Sequence, residues 1–208
     1  MFPITIVDYG MGNLGSVQKA FQAIGIDSAF TQNPNEIEKA NGLVLPGVGA
    51  FDAARHNLDK FGLTEAIQQY IQAKRPFLGI CLGLQLLFEK SEEGRLPGLG
   101  IYKGIVKRFQ SNDPHIKIPH MGWNNIQVKK RETLFLQEIP SSSFVYFVHS
   151  YYVDPLDKSI VSSETDFCGT FTSSISEGNL LATQFHPEKS GKIGLKILEN
   201  FILKIKTT

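Results

Sequence analysis

Phe77-Leu78-Gly79-Ile80-Cys81-Leu82-Gly83 couples a short apolar run to a helical pattern, and that junction decides the fold. Residues 77–80 read as a buried strand and residues 82–88 open a helix, so Cys81 falls on the turn between them. The segment 79–83 has the G-x-nucleophile-x-G form, with cysteine where hydrolases more often carry serine. The nucleophile of such an elbow sits on a strained turn, where small neighbours are needed because side chains would collide. It also lies near a helix N-terminus, whose partial positive charge favours thiolate, and the Leu82 N–H then points at the reacting carbonyl. A buried cysteine between helix-packing glycines has the same spelling, so the segment alone leaves both readings open.

Outward from this junction the first half alternates strands and helices. Ile4-Thr5-Ile6-Val7 reads as a buried strand ending at a glycine turn. A helix follows over residues 14–24, with Val17, Ala20, Phe21 and Ile24 on one face. Leu43-Val44-Leu45 is a second strand, halted by Pro46-Gly47-Val48-Gly49, and a helical stretch runs over residues 51–71. Such alternation predicts a parallel sheet covered by helices on both faces. In the second half strands are expected over residues 101–109, 125–128, 144–153 and 181–185, with a hairpin around Ser176-Glu177-Gly178-Asn179 and a final amphipathic helix over residues 194–205. No linker, repeat or low-complexity block parts the halves. The expected architecture is α/β: a single domain over residues 1–208, with a mixed, mostly parallel sheet flanked by helices in flavodoxin-like layers and a strand-rich second half.

A chain of 208 residues suits one domain that hides roughly 70% of its unfolded surface. With 21 Lys+Arg against 20 Asp+Glu, the formal charge of +1 leaves no basic footprint for nucleic acid and no polybasic membrane anchor. No apolar run approaches the roughly 20 residues of a membrane span. Residues 1–8 lack the basic and apolar regions of a leader. A soluble, cytoplasmic protein is expected. Two cysteines make no disulfide framework, and the five histidines show neither H-x-x-x-H spacing nor a close cysteine, so no metal or other cofactor is expected.

His186-Pro187-Glu188 strengthens the elbow reading. A thiol attacking an amide needs a base, and the base benefits from a carboxylate that fixes its tautomer. Pro187 biases His186 towards extended backbone, where side chains at i and i+2 face the same way. An exposed turn explains three such residues equally well. Cys168 is the competing nucleophile, but no glycine precedes it as in an elbow, and a packed small hydrophobe accounts for it. Gly10-Met11-Gly12-Asn13-Leu14-Gly15 has G-x-G-x-x-G spacing after a strand, without an acidic residue after a clear second strand about 20 residues on.

With Cys81, His186 and Glu188 in that order, the chain resembles the class I, triad-type glutamine amidotransferases. Gly79-Ile80-Cys81-Leu82-Gly83-Leu84-Gln85 and Gln184-Phe185-His186-Pro187-Glu188 are similar to motifs of the whole family. Asp8-Tyr9-Gly10-Met11-Gly12-Asn13, Leu45-Pro46-Gly47-Val48-Gly49-Ala50-Phe51, Pro119-His120-Met121-Gly122-Trp123-Asn124 and Val148-His149-Ser150-Tyr151-Tyr152 resemble its branch in histidine biosynthesis. The resemblance implies a glutaminase that forms a heterodimer with a (β/α)8-barrel cyclase. Its ammonia would pass to the cyclase, which makes imidazole glycerol phosphate and an aminoimidazole carboxamide ribotide. It also implies roles. Cys81 attacks the glutamine amide, His186 shuttles the proton and Glu188 orients it. Backbone N–H groups of Leu82 and Val48 hold the oxyanion, and the glycines around Val48 let that peptide flip. Gly49, Gln85, Glu93, Ser150 and Tyr151 contact glutamine, while Trp123 and Lys189 face the cyclase. Two rival expectations are a γ-glutamyl peptidase or another amidotransferase's glutaminase, and a binding module whose triad serves only assembly.

Overall fold

The computed structural model describes residues 4–130 and 132–207. Met1-Phe2-Pro3, part of the stretch read for a leader, lies outside them. In chain order the elements are β1 (Ile4–Val7), α1 (Leu14–Ala23), β2 (Ser28–Thr31), α2 (Pro34–Lys39), β3 (Leu43–Gly47), α3 (Phe51–Lys60), α4 (Leu63–Gln72), β4 (Phe77–Cys81), α5 (Leu82–Gln85) and β5 (Phe88–Ser91). Then follow β6 (Tyr102–Arg108), β7 (His120–Val128), β8 (Ser143–His149), β9 (Tyr151–Pro155), β10 (Val161–Asp166), β11 (Thr170–Glu177), β12 (Leu180–Thr183) and α6 (Gly191–Lys206).

One mixed sheet runs β2-β1-β3-β4-β12-β11-β10-β7-β8, with β5, β6 and β9 joined to it through the β9–β11 pairing. From β2 to β12 the neighbours are parallel; beyond β12 they are antiparallel. Strand β4 lies between β3 and β12 and is buried along its whole length, which is why it reads as an unbroken apolar run. Its side chains alternate between two cores. Phe77 joins the core with residues of α2, α3 and α4, whereas Leu78 and Ile80 join the core with Val17, Phe21, Leu198 and Phe201 of α1 and α6. The last strand pair turns tightly at Gly178-Asn179, with Glu177 opposite Leu180.

Several elements differ from the reading of the sequence. The helix after Cys81 stops at Gln85, and Phe88 already belongs to β5, which pairs with β6. The helical stretch over 51–71 is two helices, parted by Gly62 in a left-handed conformation. The strand expected over 144–153 breaks at Ser150 between β8 and β9, and β7 begins at His120 rather than Asn125. The late strand, β12, covers 180–183 rather than 181–185. Strands β2 and β10 and helix α2 are additional to the expected elements.

Close packing at the elbow depends on Gly83. A Cβ there would collide with the carbonyl oxygen of Leu45, so β3 and α5 meet backbone to backbone. Neither partner is the end of a flexible side chain. Gly83→Ala should therefore destabilise the fold by about 3 kcal/mol or more, seen as a lower urea midpoint; an unchanged midpoint would show that the contact yields freely.

Candidate active site

Cys81 ends β4 with φ 54 and ψ −105, a positive-φ conformation that a non-glycine residue adopts only under strain. This is the elbow that the Gly79–Gly83 spacing predicts. It presents Sγ at the C-terminal end of the parallel strands, where α/β sheets place their sites. Helix α5 has only four residues, so its contribution is first-turn N–H groups rather than a long dipole.

His186 arrives on the loop after β12. Its backbone is extended, and Pro187 opens a 3-10 turn over Pro187–Lys189. That turn, rather than strand alternation, carries Glu188 back to the imidazole, a correction to the expected i, i+2 arrangement. His186 Nδ1–H donates to Glu188 Oε1 at 2.7 Å, and both side chains are buried. The loop is tied down by Ser190 Oγ donating to His186 O at 2.6 Å and His186 N donating to Tyr146 O at 3.0 Å. With Nδ1 committed to Glu188, Nε2 is buried and makes no hydrogen bond of its own among the described residues. Burial pulls the imidazole down, but its interaction with Cys81 and then with Glu188 outweighs that and raises it to about 10. Cys81 also meets Val148 O at 4.0 Å and receives the Gln184 Nε2 amide at 3.6 Å.

A cleft of about 390 Å³ opens at Sγ, lined by Val48, Gly49, Cys81, Leu82, Gln85, Glu93, Ser150 and Tyr151, together with Pro119, Val148 and His149. The fold thus gathers every residue assigned to the oxyanion hole or to substrate contact around one sulfur. Gln85 donates to Tyr151 O at 3.0 Å and to Gln184 Oε1 at 3.2 Å, so its amide nitrogen is held by protein. Glu93 accepts the first N–H of α3, that of Phe51, at 2.9 Å. Burial raises its carboxyl above the ordinary range, against the pull of the Phe51 N–H and with help from nearby Asp52. A larger cleft, about 610 Å³, lies at the opposite end of β4 and has no cysteine or histidine in its lining.

Cys168 is apart from the cleft, at the turn between β10 and β11. The glycine turn 10–15 closes on its own side chains: Asp8 Oδ1 accepts Gly10 N at 3.1 Å and Asn13 Oδ1 caps α1 through Ser16 N at 3.2 Å. Trp123 lies on the outward face of β7, 56% exposed, and Lys189 Nζ sits 5.7 Å from the centre of the Tyr146 ring. Two contributors had no assigned role in the sequence reading. Gln184 belongs to the His186 motif and is wholly buried, and His149 precedes Ser150; the polar residue buried beside each recognised one was the available signal.

Comparisons with known proteins agree with this geometry. The model of the glutamine amidotransferase class-I family matches residues 5–205. The chain is 50% identical over 204 residues to the imidazole glycerol phosphate synthase subunit HisH of Nostoc punctiforme, covering 98% of this chain and 96% of that one. It is 51% identical over 206 residues to the HisH subunit of Thermosynechococcus vestitus, covering 98% and 97%. Among solved structures, PurLQS of Thermotoga maritima shares the fold with a TM-score of 0.73 at 18% identity, covering 98% of this chain and 99% of that one. An elbow cysteine, a buried His–Glu pair behind it and full-length kinship converge: the chain belongs to the class-I glutamine amidotransferase family.

Proposed function

We propose that the chain is the glutaminase subunit of an imidazole glycerol phosphate synthase, one glutamine amidotransferase unit over residues 1–208 acting in the cytoplasm. Cys81 Sγ adds to the side-chain amide carbon of L-glutamine, and the oxyanion is held by the N–H groups of Val48 and Leu82. His186 passes its proton to the departing nitrogen, so ammonia leaves and a γ-glutamyl thioester remains. Water, deprotonated by His186, then displaces the thiolate and frees glutamate. Glu188 keeps the imidazole in the Nδ1–H tautomer throughout. Glu93 takes the substrate ammonium, the Ser150–Tyr151 backbone its carboxylate, and Gly49 and Gln85 flank the head group.

The observation that carries this reading is the buried pairing of His186 with Glu188 behind the strained Cys81. The partner is a cyclase with a (β/α)8 barrel, forming a heterodimer. What supports its docking here is an apolar face beside the triad. Met121 and Trp123 of β7 and Phe144 and Tyr146 of β8 share one side of the ladder, with Trp123 opposite Tyr146. Met121, Trp123 and Phe144 are 64%, 56% and 57% exposed, and the Tyr146 carbonyl holds the His186 N–H. A face so apolar beside the His186 loop supports docking of a partner there. The test is capture from the native host followed by glutaminase assay with and without the retained protein. A barrel cyclase should be retained and should stimulate hydrolysis; retention of a different synthase would overturn the assignment.

A further inference from the structure

We infer that the buried pair His120–His149 is a positioning device for glutamine, a neutral relay with fixed proton order that holds the Tyr151 carbonyl in the wall of the cleft. The inference rests on the reading of that cleft as the glutamine site. His120 and His149 lie opposite each other on the inward side of the β7–β8 ladder. His149 Nδ1 is 2.7 Å from Tyr151 O, His120 Nδ1 is 3.0 Å from His149 Nε2, and Asn124 Nδ2 is 3.2 Å from His120 Nε2.

The two ends of this chain dictate every proton. A carbonyl can only accept, so His149 carries its hydrogen on Nδ1 and its Nε2 is a lone pair. That lone pair requires Nδ1–H on His120, whose own Nε2 must then accept. Asn124 meets it with an amide nitrogen: Asn124 Oδ1 is engaged by Asn125 N at 2.8 Å, and its Nδ2 also donates to Asp166 O at 3.0 Å. Adding a proton to either ring would set two donors against each other. The surroundings oppose that proton. His120 lies between the rings of Phe167 and Phe147, at 4.1 and 4.7 Å, and His149 packs 5.2 Å from both Phe109 and Phe171. Burial lowers His120 to about 4. It also lowers His149, to about 3, against the Tyr151 carbonyl and with His120 and His186 adding to the effect.

Both rings are therefore neutral at neutral pH, and neither serves as a base. Their product is a fixed carbonyl. Tyr151 O takes one hydrogen from His149 and a second from Gln85 at 3.0 Å, which leaves it no freedom beside Cys81. Ser150 and Tyr151 then offer glutamine a preformed backbone. Removing the His149 donor loosens binding without touching sulfur or its base.

The test pairs kinetics with nitrogen NMR on the full chain. His149→Leu should raise KM for glutamine about tenfold, the effect of one lost buried hydrogen bond, with kcat changed less than about threefold. His149→Asn, whose amide nitrogen occupies the Nδ1 position, should restore most of the KM. Both assays are run with and without added cyclase. In the unmodified chain, imidazole nitrogen shifts should show two neutral Nδ1–H rings, the tautomer that free histidine disfavours. Unchanged KM in His149→Leu, or equal damage in the Leu and Asn variants, would overturn the positioning role. An Nε2–H ring at either position would overturn the relay. Absence of glutamine hydrolysis in the unmodified chain under both conditions would overturn the reading of the site, and the positioning role with it.

Discussion

Cys81→Ala should abolish glutamine hydrolysis, by at least ~10⁴-fold, while the protein keeps its fold. Sγ is the only thiol in the cleft, so no other group can form the thioester. The backbone penalty at φ 54 is nearly the same for alanine and cysteine, because both carry a Cβ. Losing one buried sulfur therefore costs little stability. His186→Asn should fail comparably, since asparagine cannot take the thiol proton. Glu188→Gln should retain more activity than His186→Asn, because it impairs the orientation of the base but leaves the base present. Cys168→Ala should keep most activity, its residue being at a turn away from the cleft. The check is steady-state ammonia release for each variant, with circular dichroism to establish folding. A live Cys81→Ala together with a dead Cys168→Ala would move the nucleophile. Equal rates for the unmodified protein and His186→Asn would remove His186 as the base.

What was legible in the sequence follows the range of the interactions involved. The β4–Cys81 elbow could be read because its constraints are local: an apolar run, a nucleophile, and glycines where backbones touch. The end of α5 could not. Leu86, Leu87 and Phe88 are all buried, and such a run has no period to separate helix from strand. Pairing of β5 with β6 decides it, through residues more than ten positions away. Strand β2 is a four-residue edge strand with half-exposed positions, too short and too mixed to stand out. Helix α2 buries only Ile37, although Asn33 capping Asn35 N and Pro34 at its start were readable signals. Family motifs named most cleft residues but not their partners. The bonds from Gln184 to Cys81 and from Gln85 to Tyr151 span 103 and 66 positions, and only the closed sheet makes them.

The cyclase should act on kcat rather than on glutamine binding, and the effect should reach about 10²–10³-fold. The device we expect is the segment Gly47-Val48-Gly49. On one side, Tyr9 OH donates to Pro46 O at 2.8 Å and pins the end of β3. On the other, Glu93 accepts Phe51 N at 2.9 Å and pins the start of α3. Between these anchors Val48 is 38% exposed, and Gly49 holds φ +100, a region that only glycine enters without strain. The Val48 peptide can therefore turn over while its flanks stay in place. In the isolated chain we expect it to rest with its N–H away from the oxyanion position, since steady hydrolysis without an acceptor would waste glutamine. The missing donor affects the transition state and not the ground state, which confines its absence to kcat. Docking of the cyclase with its own ligand on the Met121–Trp123 face and near Lys189 would favour the turned state. Moving that equilibrium from 1:99 to 99:1 requires about 5.5 kcal/mol of differential binding, within reach of a protein interface. The measurement is glutaminase kinetics of the free subunit against the complex with cyclase ligand present. Comparable kcat in the two would sink the gate and leave the triad standing.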